Sequence, residues 1–479
     1  MKSKTLFMYP FFGSVLFVLF WGILYFFWGE KISVNNGCGY DGTFYCNITQ
    51  NFDLFIQNKA FSVYYANRIL PCGIVWFSLK ILGLPLSLQN IITAFYVMNI
   101  VSWLIFLFFW NKILHYYQIS KSVQWLMSVL ILISFYFMKF IFYYPVLTDG
   151  IALLSGTLLL WFYIQNKFIA ILITAFLGSF VYPLFAVYAG ILIVFPVYFK
   201  LKPIKKQNKT FIDYLIITFL LMLFLLLRMY VVFRVDYSQS IGFHLNTLLY
   251  IITYSYVLYH ILPSYACIKA NKSHILAYFL HTKTLQRIAI ASSLFLLTTG
   301  IKFYISQNPV LENPKSIYLI KSLAGIGFHG ATWITEFFSG FGLIAVLFII
   351  LLKKVYQTST EQGLGFYLVV LSFCLLNFQK ETRITMDIYT YILLAIALSM
   401  ELYTTSLKKY HIFIFALINV LLSKWYLPVE KSPLIFNHAE HTWIYQNYAL
   451  STYLMNNTQY AGLLVIFLLL SAMLFRVFK

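Results

Sequence analysis

Acid is the scarcest ingredient of this chain. Only 14 of its 479 residues are Asp or Glu, and charged residues of both signs together make up 10%. Soluble domains carry about 25% charged residues, so a water-facing globular domain of this length is excluded. Five cysteines are too few for a disulfide scaffold. No soluble segment, heptad array or internal repeat is visible, which sets aside coiled coils and solenoids.

What the chain has instead is hydrocarbon. Hydrophobic residues make up 61% and the mean hydropathy is +0.81, with apolar runs recurring over the whole length. At about 20 residues per crossing, this is an all-α polytopic membrane protein. Residues 8–28 suffice for one crossing. They lack a small-residue cleavage site, so they are expected to be a retained helix and not a signal peptide. Further spans are expected at 88–111, 123–141, 150–164, 168–182, 184–199, 211–233, 247–266, 288–305, 337–352, 363–378, 387–405, 410–427 and 460–478. Residues 168–199 are either two short crossings or one re-entrant pair around GSFVYP. The expected organisation is a single membrane domain over 1–479 with about 12–14 transmembrane helices. It comprises a first loop at 29–87, a helical core at 88–405 and C-terminal helices with a loop at 406–479.

The net charge of +20 invites a nucleic-acid partner, but its distribution argues for none. With the N-terminus inside, one set of flanks collects 20 of the 34 basic residues and only Asp213, Glu361 and Glu401 among the acids. The set includes the loop KLKPIKKQNK and the basic stretch 269–287. This asymmetry orients a membrane protein; it does not form a polyphosphate groove. The opposite, outer side then holds the 29–87, 306–336 and 428–459 loops. Cys38 and Cys46 both fall there and could pair, whereas Cys72, Cys267 and Cys374 read as small apolar residues. The sequons Asn47-Ile48-Thr49 and Asn456-Asn457-Thr458 are on that side too. Within 29–87, ILPCGIVWFSLKILGLPL after Arg68 is broken by Pro71, Gly73, Lys80 and Pro85, which fits a helix lying in the interface.

On this topology the ionisable residues nearest the bilayer share the outer side. They are Asp41 in GYDGTFY, Asp149 in YYPVLTDG, His329 and Glu336 in GFHGATWITEFF, and Lys380, Glu381 and Arg383 in NFQKETRITMD. An ionisable group at a helix centre costs about 2.5–3.5 kcal/mol on insertion scales, so such groups tend to mark function. Each also has a plainer explanation. Asp41 between glycines suits a turn, and Thr148 or Asp149 suits a helix N-cap. Glu381 with Arg383 suits a solvated pair, and His329 suits an interfacial histidine.

The stretch GYDGTFY, followed by YYANRILP, resembles the first outer loop of GT-C-fold glycosyltransferases. The matching residues are Asp41, Gly42, Phe44, Tyr45, Arg68, Ile69, Leu70 and Pro71. YYPVLTD resembles the second acidic site of that family, carried by Asp149, and ETRITMDIYTYILL resembles its late Glu-x-Arg segment. Here Arg383 is followed by Ile-Thr-Met-Asp, without the proline that often comes next in family members. The resemblance implies a GT-C-like helical bundle that moves a sugar from a polyprenyl-phosphate carrier to a glycan, lipid or protein acceptor. The reaction would take place on the extracytoplasmic face. Asp41 would be the general base, with Asp149 orienting the acceptor, sharing that role or holding a cation. Arg383, with Arg68 and Lys380, would bind the donor phosphate. Tyr45, His329, Glu336 and Glu381 would line the sugar sites, and any Mg2+ or Mn2+ would sit on Asp41 and Asp149. The expected location is a bacterial inner membrane with the site facing the periplasm or exterior; a lumen-facing protein of the endoplasmic reticulum is the alternative.

Two other functions are weighed. A polysaccharide polymerase or ligase would use arginines in a large late loop, and 428–459 has none. A transporter would show paired broken helices or midplane charges; Arg228 is the clearest intramembrane charge and no inverted repeat accompanies it.

Overall fold

The computed structural model describes residues 2–39, 41–200, 209–234, 241–306, 332–376, 385–403, 407–426 and 457–477. Among them the chain is entirely helical, with 22 α-helices and no strand. That follows from the composition: in hydrocarbon each backbone N–H and C=O must be satisfied within its own segment.

Every expected span falls on helix, but most are shorter than a crossing. Pro10–Trp28, Leu88–Tyr116 and Thr282–Tyr304 are individually long and apolar enough. Three bent pairs raise the number to six among the described residues: Lys121–Leu132 with Tyr136–Tyr143, Ile251–Ile261 with Tyr265–Leu280, and Leu343–Ile350 with Leu352–Glu361. Of the expected 12–14 transmembrane helices, three to six are thus long and apolar enough to cross among the described residues. Phe211–Arg234 runs for 24 residues and Asn457–Val477 for 21, whereas Ile69–Ile81, Asp149–Ile164, Phe168–Gly178 and Tyr389–Glu401 have 10–17. At 1.5 Å per residue these shorter helices reach about 15–25 Å, short of a hydrocarbon core of about 30 Å. The basic stretch 269–287 is itself helical, shared between Tyr265–Leu280 and Thr282–Tyr304.

Two buried asparagines explain how the breaks survive. Asn419 donates to the carbonyls of Leu130 (3.0 Å) and Ile133 (3.1 Å), where the first bent pair loses its ladder. Its own carbonyl accepts from Leu343 N (3.0 Å), just past the left-handed Gly342 at φ +57°. A Cβ at Gly342 would lie 2.2 Å from Asn419 Oδ1, so only glycine fits there. Asn99 does the same before Asp149, donating to the carbonyls of Pro145 (2.8 Å) and Ile141 (3.4 Å).

The 29–87 segment folds into short helices. Gly42–Gln50 and Ile69–Ile81 pack on each other and on Leu88–Tyr116. Ile69, Cys72, Val75 and Leu79 form the buried stripe of Ile69–Ile81 at helical spacing. Its other face exposes Ile74, Phe77 and Ile81, so the helix is apolar all round and suited to contact with lipid tails.

Cys38 and Cys46 are joined in a disulfide that closes an eight-residue separation around Asp41. Loop-closure entropy for so short a ring is worth about 2–3 kcal/mol. Cys46→Ser is expected to lower the thermal unfolding midpoint by a few degrees, read by a thiol-independent dye; an unchanged midpoint would show that the loop is held by its other contacts alone.

Candidate functional site

The turn that carries Asp41 is built by its neighbours. Gly39 adopts φ +70°, and a Cβ there would lie 2.5 Å from the Tyr144 ring. Gly42 donates its N–H to Tyr144 Oη (2.8 Å), and Thr43 and Asn35 both donate to Gly39 O. Asp41 occupies the N-cap position of Gly42–Gln50 but makes no side-chain cap hydrogen bond. Turn chemistry thus explains the glycines, and the Asp41 carboxylate is half-buried.

Four residues after Asp41, Tyr45 is fully buried and its hydroxyl accepts from Arg68 Nη1 at 2.7 Å. Burial holds the Tyr45 hydroxyl well above its ordinary pKa; the Arg68 guanidinium opposes this and Asp41 adds to it. Tyr65 is raised in the same way, by burial first and then by the Asp41 charge. Both tyrosines therefore stay protonated.

Arg68 is itself buried and sits between aromatic faces, 5.3 Å from the Tyr64 ring centroid and 5.0 Å from that of Tyr182. Such stacking suits a guanidinium better than an ammonium. Tyr182 then donates to Asp149 Oδ1 at 3.3 Å. A hydrogen bond from Leu70 N to Phe180 O (3.0 Å) ties the two segments together. Asp149 opens the helix Asp149–Ile164, where the Thr148 hydroxyl makes no cap bond. It also faces a small cavity shared with Tyr136, Tyr144 and Met386. Tyr144 thus touches both the Asp41 turn and the Asp149 cavity. Asp41, Tyr45, Arg68 and Asp149, from segments more than 100 residues apart, form one chain of contacts through Tyr144 and Tyr182.

A third carboxylate lies here that the sequence reading does not single out. Asp387 is 1% exposed, and neither carboxylate oxygen has a hydrogen-bond partner among the described residues. Arg68, Tyr188 and Tyr391 all lie within its electrostatic reach. The signal was an acid inside the apolar run ITMDIYTYILL, masked by the louder Glu-x-Arg just before it. Its placement is enforced by packing. The Thr157 and Thr390 hydroxyls meet at 2.7 Å, and a Cβ at Gly156 would fall 1.7 Å from Asp387 O.

That contact is with backbone, which cannot swing aside. Gly156→Ala is expected to cost about 1–3 kcal/mol as overpacking and to displace Asp387, seen as a lower unfolding midpoint in detergent. Gly190→Ala is the control: nothing lies within 4 Å of a Cβ there, and helix propensity favours alanine by about 1 kcal/mol. Equal midpoints for the two variants would show that the helix can shift away from the turn.

Glu336 is buried in Thr332–Phe341. That helix meets the site where Phe341 stacks on Tyr136 (4.6 Å) and packs on Tyr389 (4.1 Å). His329, Lys380, Glu381 and Arg383 lie outside the described residues. No group of three or more His, Cys, Asp or Glu side chains is disposed to hold a metal ion among the described residues.

The fold and site define an all-helical, multi-pass membrane protein with a buried carboxylate–arginine–tyrosine cluster at the ends of several broken helices. No protein-family model, curated protein or solved structure matches the chain.

Proposed function

We propose that the chain is a GT-C-like membrane glycosyltransferase that moves a sugar from a polyprenyl-phosphate donor to an acceptor hydroxyl outside the cytoplasm. The observation that carries this reading is the convergence of Asp41, Tyr45, Arg68 and Asp149 on one cluster. Acceptor hydroxyl, departing phosphate and sugar need a base, a cation and hydrogen-bond donors together.

In this reading the acceptor oxygen attacks the anomeric carbon as Asp41 takes its proton. The bond from that carbon to the carrier phosphate breaks, and the phosphate keeps the electron pair. Arg68 meets the charge that develops on the phosphate, and Arg383 is a second candidate for that task. Asp149, steadied by Tyr182, orients the acceptor. A single displacement of this kind inverts the anomeric configuration. Bound Mg2+ or Mn2+ would offer charge to the same phosphate, with Asp41 and Asp149 as the carboxylates to hold it. The aromatic helices around the site suit the lipid tail of the donor.

The test has two arms. Single cysteines introduced at Thr43 and Lys269, both exposed, are labelled in intact cells with a membrane-impermeant maleimide in a background that keeps the Cys38–Cys46 disulfide and lacks Cys72, Cys267 and Cys374. Labelling of the Thr43 position alone fits the reading; labelling of the Lys269 position alone places the cluster on the cytoplasmic side and removes it. The purified chain is then given radiolabelled polyprenyl-phosphate sugars with total glycan, lipid and protein acceptors. Failure to transfer from any of them would return the chain to the class of non-enzymatic membrane proteins.

A further inference from the structure

We propose that a groove remote from the carboxylate cluster binds one acyl chain of an anionic phospholipid, with the lipid phosphate on Lys209. The groove measures about 290 Å3 and lies between Phe211–Arg234, Tyr265–Leu280 and Leu364–Leu376. Ile216, Leu220, Ile268, Ile275, Leu368 and Leu371 form most of its wall. Walls of this kind favour hydrocarbon over water, and a slot between three helices suits an acyl chain.

The mouth decides the headgroup. Asp213 is already engaged: Oδ2 accepts from Thr210 N (2.6 Å) and Thr210 Oγ1 (2.9 Å), and Oδ1 accepts from Tyr265 N. Asn271 is committed to Cys267 O at 2.9 Å. Lys209 is half-buried and, among the described residues, donates one bond, to Leu262 O at 2.7 Å. An ammonium has three N–H donors, so two remain to meet phosphate oxygens. Further positive charge flanks it. Tyr265–Leu280 carries exposed Lys269 and Lys272 and no acid, and Lys272 stands one turn from the wall residue Ile268. Asp213 lies within electrostatic reach of Lys209, but three lysines against this one carboxylate leave the mouth of the apolar slot positive among the described residues, which complements an anionic lipid and gives a neutral headgroup no comparable partner. This assignment needs no assumption about the transfer reaction.

The experiment is native mass spectrometry of the full chain released from bilayers of equal phosphatidylglycerol and phosphatidylcholine. The wild type is expected to retain phosphatidylglycerol preferentially. Lys209→Gln is expected to lower that retention about tenfold, the effect of losing one charge-assisted hydrogen bond. Leu368→Trp, which fills the groove, is expected to remove the bound lipid altogether. Unfolding midpoints establish that each variant is folded; should Leu368→Trp not fold, Ile216→Trp fills the groove from the opposite wall. Equal retention of the two lipids, unchanged retention in Lys209→Gln, or retention by a folded groove-filled variant would each overturn the assignment. Displacement of phosphatidylglycerol by equimolar polyprenyl phosphate would also overturn it, giving the groove to a prenyl chain.

Discussion

Replacing Asp41 by Asn is expected to reduce sugar transfer by about 10²–10⁴-fold, the range for loss of a positioned general base. The variant should insert and fold as the wild type does. The carboxylate makes no cap hydrogen bond to its helix, and the turn is held by the Cys38–Cys46 disulfide, Tyr144 and Thr43. Asparagine is nearly isosteric and keeps those contacts, so what is removed is the capacity to accept a proton. Turnover from a polyprenyl-phosphate sugar would be measured beside an unfolding midpoint. A folded variant with wild-type turnover would take the base away from Asp41 and leave Asp149 and Asp387 as the carboxylates to test.

Arg68→Ala carries the second large effect. Arg68 is buried, donates to Tyr45 Oη and stacks near Tyr64 and Tyr182. It is also the cation within electrostatic reach of Asp387. Removing one member of a buried charged group costs about 3–5 kcal/mol, because the opposite charge is left uncompensated. Lower stability is therefore expected, and so is a fall of about 10²–10³ in kcat/KM for the donor, the scale for losing a group that stabilises developing charge. Arg68→Lys separates the two effects. It restores charge but not the planar fork, so it should recover most of the stability while donor use stays about tenfold down. Tyr45→Phe should be milder than either, since it removes one partner of Arg68 and leaves the guanidinium in place. If Arg68→Lys is folded and uses the donor as the wild type does, phosphate recognition lies elsewhere, with Arg383 the next residue to substitute.

Much of the cluster can be read from sequence because its motifs are local. Asp41 with its two glycines and Tyr45 lie within seven residues, and an acid followed by glycine after an apolar run stands out in a chain with 14 acids. Arg68 is legible as the cation before ILP, and Asp149 as the acid that opens a helix. Asp387 is harder to see. Its importance comes from being buried without a hydrogen-bond partner among the described residues, and burial of an isolated residue has no local signature. Tyr144 and Tyr182 are harder still, since 38 tyrosines share the chain and only contact distinguishes two of them. The breaks within the crossings are hard to see for a related reason. Hydropathy averages over about 20 residues, whereas Gly342, Ser134 and Pro263 break helices within a single turn.

By itself, the sequence determined that this chain is helical and membrane-embedded, because scarce charge and abundant hydrocarbon leave backbone groups no other way to be satisfied. It also placed an acid, a tyrosine and an arginine in the loop after the first helix. Tertiary structure alone decided that these meet Asp149 and Asp387. That meeting depends on where broken helices end and on Asn99, Asn419 and Gly156 fixing those ends against one another. Contacts between residues more than a hundred positions apart are set by packing, which no local pattern encodes.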